Sequence, residues 1–160
     1  MSLFFCVDGC DGSGKSSQIR ELGNRLLAAG IPILLTREPG GSPQSEELRN
    51  LLVRGDADRW LPLSEVLLFT AARLEHLERT IRPALAQGKV VICDRYVDST
   101  FAYQGAAHET SRDLILSTHR DFCGGQMPDL TIILDIDTET GLRRSTKRLA
   151  DTSSNEDRFE

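Results

Sequence analysis

No apolar run in this 160-residue chain approaches the ~18 residues of a membrane span, and no signal peptide is visible. We therefore expect a cytoplasmic chain with no membrane partner. Positive charge is also short: Lys and Arg number 19 against 24 Asp and Glu, a net charge of -5. That balance excludes a generic polyanion binder, so no nucleic-acid partner is expected. Phosphate binding must come from local clusters of Lys, Arg and backbone amides. Cysteine is sparse. Cys6, Cys10, Cys93 and Cys123 form no Cys-x-x-Cys pair, and Cys6 and Cys93 stand inside apolar runs. They read as buried free thiols of a reduced compartment rather than disulfides or metal ligands. His76, His108 and His119 lack metal-ligand spacing with cysteine or carboxylate partners and read as structural or surface residues.

What is present begins at residues 9–16, Gly-Cys-Asp-Gly-Ser-Gly-Lys-Ser, the full Gly-x-x-x-x-Gly-Lys-Ser phosphate-binding pattern. It follows the apolar run Leu3–Val7 and precedes a helical pattern with Ile19, Leu22, Leu26 and Ala29 on one face. Gly9, Gly12 and Gly14 let the backbone wrap a phosphate without Cβ clashes, and the amides of Cys10, Asp11, Ser13 and the helix start point at the anion. Lys15 can place an ammonium on the β- and γ-phosphates of a nucleoside triphosphate, and Ser16 a hydroxyl on Mg²⁺. A guanine-reading Asn-Lys-x-Asp is absent, which argues against a GTPase.

Along the chain we expect a strand at 3–7, a helix at about 15–29 closed by Gly30, and a second strand at 31–35. A helix runs from Ser42-Pro43 to about Arg54. Residues 62–87 form a long helical region that Pro83 kinks or divides. A strand at 90–93 covered on both faces ends in Asp94. Helical patterns follow near 97–104 and 111–122, then a buried strand at 130–134, a helix at about 138–149 and a polar tail. Alternating strands and helices imply an α/β fold with a parallel central sheet and crossover helices, with ligands at the strand C-termini.

Several residues near those termini carry chemistry. Asp94 can hold Mg²⁺, through water, and Arg95 can grip a phosphate bidentately; the plain alternative is a surface ion pair. Asp11, inside the phosphate loop, either helps hold the metal or orient an arginine, or is simply a turn residue. Arg37 either reaches a phosphate acceptor or stands solvated. Phe69 and Arg73, four apart, share a helical face and can bind a base by stacking and hydrogen bonding, although an aromatic at that spacing is usually core. Arg143, Arg144, Lys147 and Arg148 form either a solvated basic face or a lid whose arginine neutralises charge in phosphoryl transfer.

Together these motifs resemble the thymidylate kinase family: 9–16, Thr-Arg-Glu-Pro-Gly-Gly at 36–41, Leu-Phe-Thr-Ala-Ala-Arg at 68–73, the segment Asp94–Gly105, and Pro128–Asp135. The resemblance implies a three-layer α/β/α P-loop kinase fold that phosphorylates dTMP to dTDP with ATP and Mg²⁺, as a homodimer. It implies one domain over 1–160, with a core at 1–142 and a lid at about 143–160; the family's last strand and helices have no counterpart in this sequence. Phe69 would stack on thymine, while Arg73, Gln104 and Thr100 would bond its edge. Tyr103 would lie against the sugar, Arg95 and Arg37 would hold the dTMP phosphate, and Asp11 would sit near it. Asp94 and Ser16 would lie at Mg²⁺. The loop carries Gly12 where an arginine would otherwise stand, so Arg148 or Arg144 is the expected transition-state arginine. The alternatives are another nucleoside monophosphate kinase or a catalytically impaired nucleotide-binding fragment.

Overall fold

The computed structural model describes residues 2–56, 58–106 and 112–152, with side chains of the last helix described as far as Lys147. Strands β1 (Leu3–Asp8), β2 (Ile33–Arg37), β3 (Val90–Asp94) and β4 (Leu130–Ile133) form a parallel sheet in the order β2-β3-β1-β4. Side chains alternate across a strand. Phe4 and Cys6 of β1, with Val91 and Cys93 of β3, therefore meet one layer of helices, while Val7, Val90 and Ile92 meet the other. Burial on both faces is why these strands read as continuous apolar runs.

Helix α1 (Lys15–Ala28) covers the second face with Ile19, Leu22 and Leu26. On the first face lie α3 (Pro62–His76), α4 (Arg82–Ala86) and α6 (Arg112–Cys123), which contribute Val66, Ala84 and Ile115 to the larger core. Helix α2 (Pro43–Leu52) packs on α3 and starts as expected: Ser42 Oγ accepts from the Ser45 amide at 3.3 Å, and Pro43 opens the first turn. The expected three-layer α/β/α arrangement is present. No helix among the described residues is long and apolar enough to cross a membrane.

Four expectations need correction. The second strand is Ile33–Arg37, two residues later than the apolar run suggests. Pro32 has no amide hydrogen; its carbonyl accepts from the Val90 amide at 2.9 Å, and pairing proper starts where Ile33 meets Val90. Region 62–87 does divide, but before Pro83: a π-helical turn, Leu77–Ile81, separates α3 from α4. The wider turn accommodates the missing donor and the bulk of the proline ring. The helix expected at 97–104 is a single α-turn, α5 (Val97–Thr100), that widens into π-helical Phe101–Ala106. The 130–134 strand is not buried: Leu130 is 50% exposed and Ile133 70%. An apolar run signals a strand, but burial needs neighbours, and among the described residues β4 pairs with β1 alone.

Helix α7 (Thr138–Thr152) forms where a helix at about 138–149 was expected. Cys6, Cys93 and Cys123 are buried free thiols, whereas Cys10 is exposed in the phosphate loop. Burial pushes the Cys6 and Cys93 thiols up, away from thiolate reactivity. His76 and His119 are buried; His108 lies outside the described residues.

Candidate functional site

The loops that follow β1, β2 and β3 converge and are stitched by backbone hydrogen bonds. The Glu38 amide donates to the Asp94 carbonyl at 2.9 Å, and the Arg95 amide to the Val7 carbonyl at 3.0 Å. β1 and β3 are neighbours, yet the helices that follow them cover opposite faces. A cleft opens at such a switch point, and the site residues gather there.

The phosphate loop has Gly9, Gly12 and Gly14 at φ 138°, 78° and 93°, conformations that side chains resist. Gly14 caps α1, and its carbonyl accepts from the amides of Ser17 and Gln18, both at 3.1 Å. Lys15 is buried, and its ammonium donates to the carbonyls of Gly9 and Cys10, both at 2.8 Å. Burial draws this ammonium below its usual range, and Arg95 pushes the same way. Ser16 Oγ donates to Asp94 Oδ2 at 3.1 Å. Asp94 Oδ1 and Ser13 Oγ are buried without a hydrogen-bond partner. No set of three His, Cys, Asp or Glu among the described residues is arranged to hold a metal alone. The hydroxyl of Ser16 and the unpartnered oxygen of Asp94 are, however, hard donors of the kind that complete the coordination of a phosphate-bound cation.

Beside the loop lies a cavity of about 150 Å³. Phe69, Arg73, Arg95, Thr100, Tyr103 and Gln104, six of the expected acceptor-side residues, all line it. Phe69 is half-buried at the cavity rather than in the core. Asp11 joins this wall: Arg95 Nη2 lies 2.9 Å from its Oδ1, and Tyr103 Oη reaches Oδ2 at 3.5 Å. The Arg95 guanidinium stands 5.2 Å from the centre of the Tyr103 ring. Burial alone would lower the Arg95 pKa, but Asp11, Tyr103 and Asp8 hold it above its ordinary value. Arg95 is the one described non-glycine residue at positive φ, 69°, a strained backbone that aims its side chain at the cavity.

Arg73 is held from behind. Its Nε donates to Glu38 Oε2 at 2.7 Å and its Nη2 to Thr100 Oγ1 at 2.9 Å. Glu38 Oε1 lies 3.2 Å from His76 Nδ1, and His76 Nε2 lies 2.6 Å from Thr36 Oγ1. Burial would raise the Glu38 pKa, but Arg73 and His76 hold it below the carboxylate range. Sequence reasoning missed Glu38 and His76 as site supports. The signal available was an acid in the 36–41 loop and a histidine three residues after Arg73 on the same helix. It also missed Asp8, the last residue of β1, which accepts from Ser99 Oγ at 2.9 Å, and Arg49, which lines the cavity and donates to the Pro39 carbonyl at 2.9 Å.

One expected residue is not brought to the cavity. Arg37 Nη2 pairs with Glu46 Oε2 on α2 at 3.1 Å, is 56% exposed and does not line it. Arg148 lies on α7, and its side chain falls outside the described residues. Arg144, one turn earlier, does reach the phosphate loop: Nη1 donates to the Gly12 carbonyl at 3.4 Å. Helix and loop approach closely here. A Cβ at Gly12 would meet the Gly141 carbonyl oxygen at 2.3 Å, and one at Gly141 would meet the Asp11 carbonyl oxygen at 3.0 Å.

Comparison with known proteins gives a consistent pattern. The sequence profile named "Thymidylate kinase" matches residues 7–160. A thymidylate kinase of Ruegeria pomeroyi is 54% identical over 158 residues, 99% of this chain and 72% of that protein. One of Caulobacter vibrioides is 53% identical over 146 residues, 91% and 70% respectively. The crystal structure of thymidylate kinase from Ehrlichia chaffeensis superposes with a TM-score of 0.78 at 38% identity, covering 95% of this chain and 86% of that one.

Proposed function

This chain belongs to the thymidylate kinase family, and from that premise we propose that it transfers the γ-phosphoryl group of ATP to dTMP, giving dTDP and ADP. One observation carries the reading: a phosphate loop and a base-sized cavity share a wall, and Asp11 and Arg95 form it. A phosphate oxygen of dTMP attacks Pγ, and the bond from Pγ to the bridging oxygen of ADP breaks, with the electron pair leaving on ADP. The acceptor is already anionic at neutral pH, so catalysis is alignment and charge neutralisation.

Phe69 stacks on the base, and Arg73, Thr100 and Gln104 bond its edge. Arg95, fixed by Asp11 and Ser99, holds the acceptor phosphate; Tyr103, against Asp11, sits where a deoxyribose would lie. Arg37, paired with Glu46, assists only after leaving that partner. The loop from Gly9 to Ser16 binds ATP, with Lys15 on its phosphates. Ser16 and Asp94 would hold Mg²⁺, which supplies neutralisation of phosphate charge. Arg144, resting on Gly12, neutralises developing charge from α7, and Arg148 is the second candidate on that helix. The residues from 143 onward then act as the lid of a single domain.

We place the reaction in the cytoplasm on the strength of four free thiols. Exposed Leu63 and Leu67 on α3 offer apolar surface for a homodimer. The test is ADP release by the purified protein with ATP, Mg²⁺ and each nucleoside monophosphate in turn. We expect dTMP to be the preferred acceptor; no turnover with any of them sinks the reading.

A further inference from the structure

Glu65 is fully buried and Gln104 is 1% exposed. Burying a carboxyl group is costly unless hydrogen bonds compensate. Glu65 Oε1 accepts from Gln104 Nε2 at 3.4 Å. Glu65, Phe69 and Arg73 stand at four-residue intervals on α3, so all three lie along one stripe of the helix, and Phe69, Arg73 and Gln104 all line the cavity. A primary amide has a donor end and an acceptor end. With Nε2 turned to Glu65, the carbonyl Oε1 is the end left for the cavity. Arg73 is the complement. Glu38 occupies its Nε and Thr100 its Nη2, and a guanidinium has donors only.

We propose that Glu65 sets the hydrogen-bond polarity of the base site by holding Gln104 with its carbonyl towards the cavity. The proposal rests on the dTMP reading and deepens it. An acceptor at Gln104 beside a donor at Arg73 matches a base with an N3–H donor and an O4 acceptor, the edge of thymine and uracil. Cytosine presents the reverse, an N3 acceptor and an N4 donor, and would set acceptor against acceptor and donor against donor. Sites that bury mismatched polar groups discriminate strongly, so dTMP should exceed dCMP in kcat/KM by about 10³-fold or more. Glu65 touches no substrate; it is a positioning residue.

Glu65→Gln tests this, because a glutamine at 65 has its own amide donor and can hold Gln104 by the carbonyl, turning Nε2 to the cavity. We expect the dTMP-to-dCMP ratio of kcat/KM to fall at least about tenfold, mainly through KM for dTMP, with KM for ATP unchanged. Glu65→Asp, which keeps an acceptor, should leave the ratio within about threefold of wild type. In a Gln104→Met background, Glu65→Gln should move the ratio less than about twofold. If Glu65→Gln does not fold, Gln104→Met alone carries the test, since removing the acceptor should narrow the ratio at least about tenfold. Equal loss of both substrates in Glu65→Gln, or an unchanged ratio in Gln104→Met, overturns the inference and leaves the kinase reading intact. So does a wild-type protein that uses dTMP and dCMP alike. A wild-type protein that phosphorylates no monophosphate overturns the functional reading, and this inference with it.

Discussion

Replacing Glu38 with leucine should be among the most damaging single changes in this molecule, through Arg73. The two side chains are 5% and 3% exposed, and the carboxylate is 2.7 Å from the guanidinium. Leucine at 38 leaves the guanidinium buried without its counter-charge, and breaking such a pair costs about 3–5 kcal/mol. Against a typical domain stability of about 5–15 kcal/mol that is at least about a fifth. Glu38→Leu with Arg73→Met removes both charges, so the double variant should cost less than the sum of the singles by about 2–3 kcal/mol. Urea unfolding of all four proteins at pH 7, followed by circular dichroism, reads this cycle directly. Costs that add to within about 0.5 kcal/mol would refute the claim that the pair is a coupled buried unit. The pH dependence offers a second check. Glu38 titrates below its ordinary 4.5 in the folded chain, so its contribution is complete above that pH and is lost as the pH falls below it. Glu38→Gln should therefore flatten the acid side of the stability profile; an unchanged profile contradicts the pairing.

Other outcomes follow from the same geometry. Arg95→Ala should lower kcat/KM for dTMP at least about 100-fold while leaving ATP affinity within about threefold, read by initial rates and ATP titration; equal losses on both sides would remove it from the acceptor side. Arg144→Ala should reduce kcat by about 10³-fold with little change in either KM, since its charge matters in the transition state; a change confined to KM would assign it to ground-state binding. Gly12→Ala places a methyl group 2.3 Å from the Gly141 carbonyl oxygen at φ 78°. It should lower kcat by displacing α7 from the loop, and wild-type kinetics in that variant would show that helix and loop are not in register during turnover.

How much of this was legible in the residues depends on range. Local signals were read well: the phosphate loop from its glycines and flanking periodicity, α2 from Ser42-Pro43, and Phe69 with Arg73 from four-residue spacing. What the sequence could not expose is pairing across long separations. Arg37 resembled a free basic residue because Glu46, which neutralises it, lies on the next helix. Glu38 resembled an ordinary loop acid, since the partners that bury it lie 35 and 38 residues away. The apolar run of β4 announced a strand but carried no information about what would cover it, and Pro83 announced a break without revealing that a π-helical turn would take it up one turn earlier.

The position of β1 in the sheet divides the molecule into a still part and an adjustable part. Its backbone is tied to β3 on one side and β4 on the other, and Phe4, Cys6 and Val7 are packed on both faces. Amides of such a strand exchange with solvent only through the largest openings of the fold. The phosphate loop, the proposed seat of the donor nucleotide, hangs directly from it. The proposed base-binding part of the cavity is built on α3, α5 and the π-helical segment after it, which are joined to the sheet by side-chain packing rather than by the hydrogen-bond ladder. Any accommodation between two substrates that must meet to within an ångström therefore falls to the acceptor side, and hydrogen exchange across β1 should slow little when nucleotide binds.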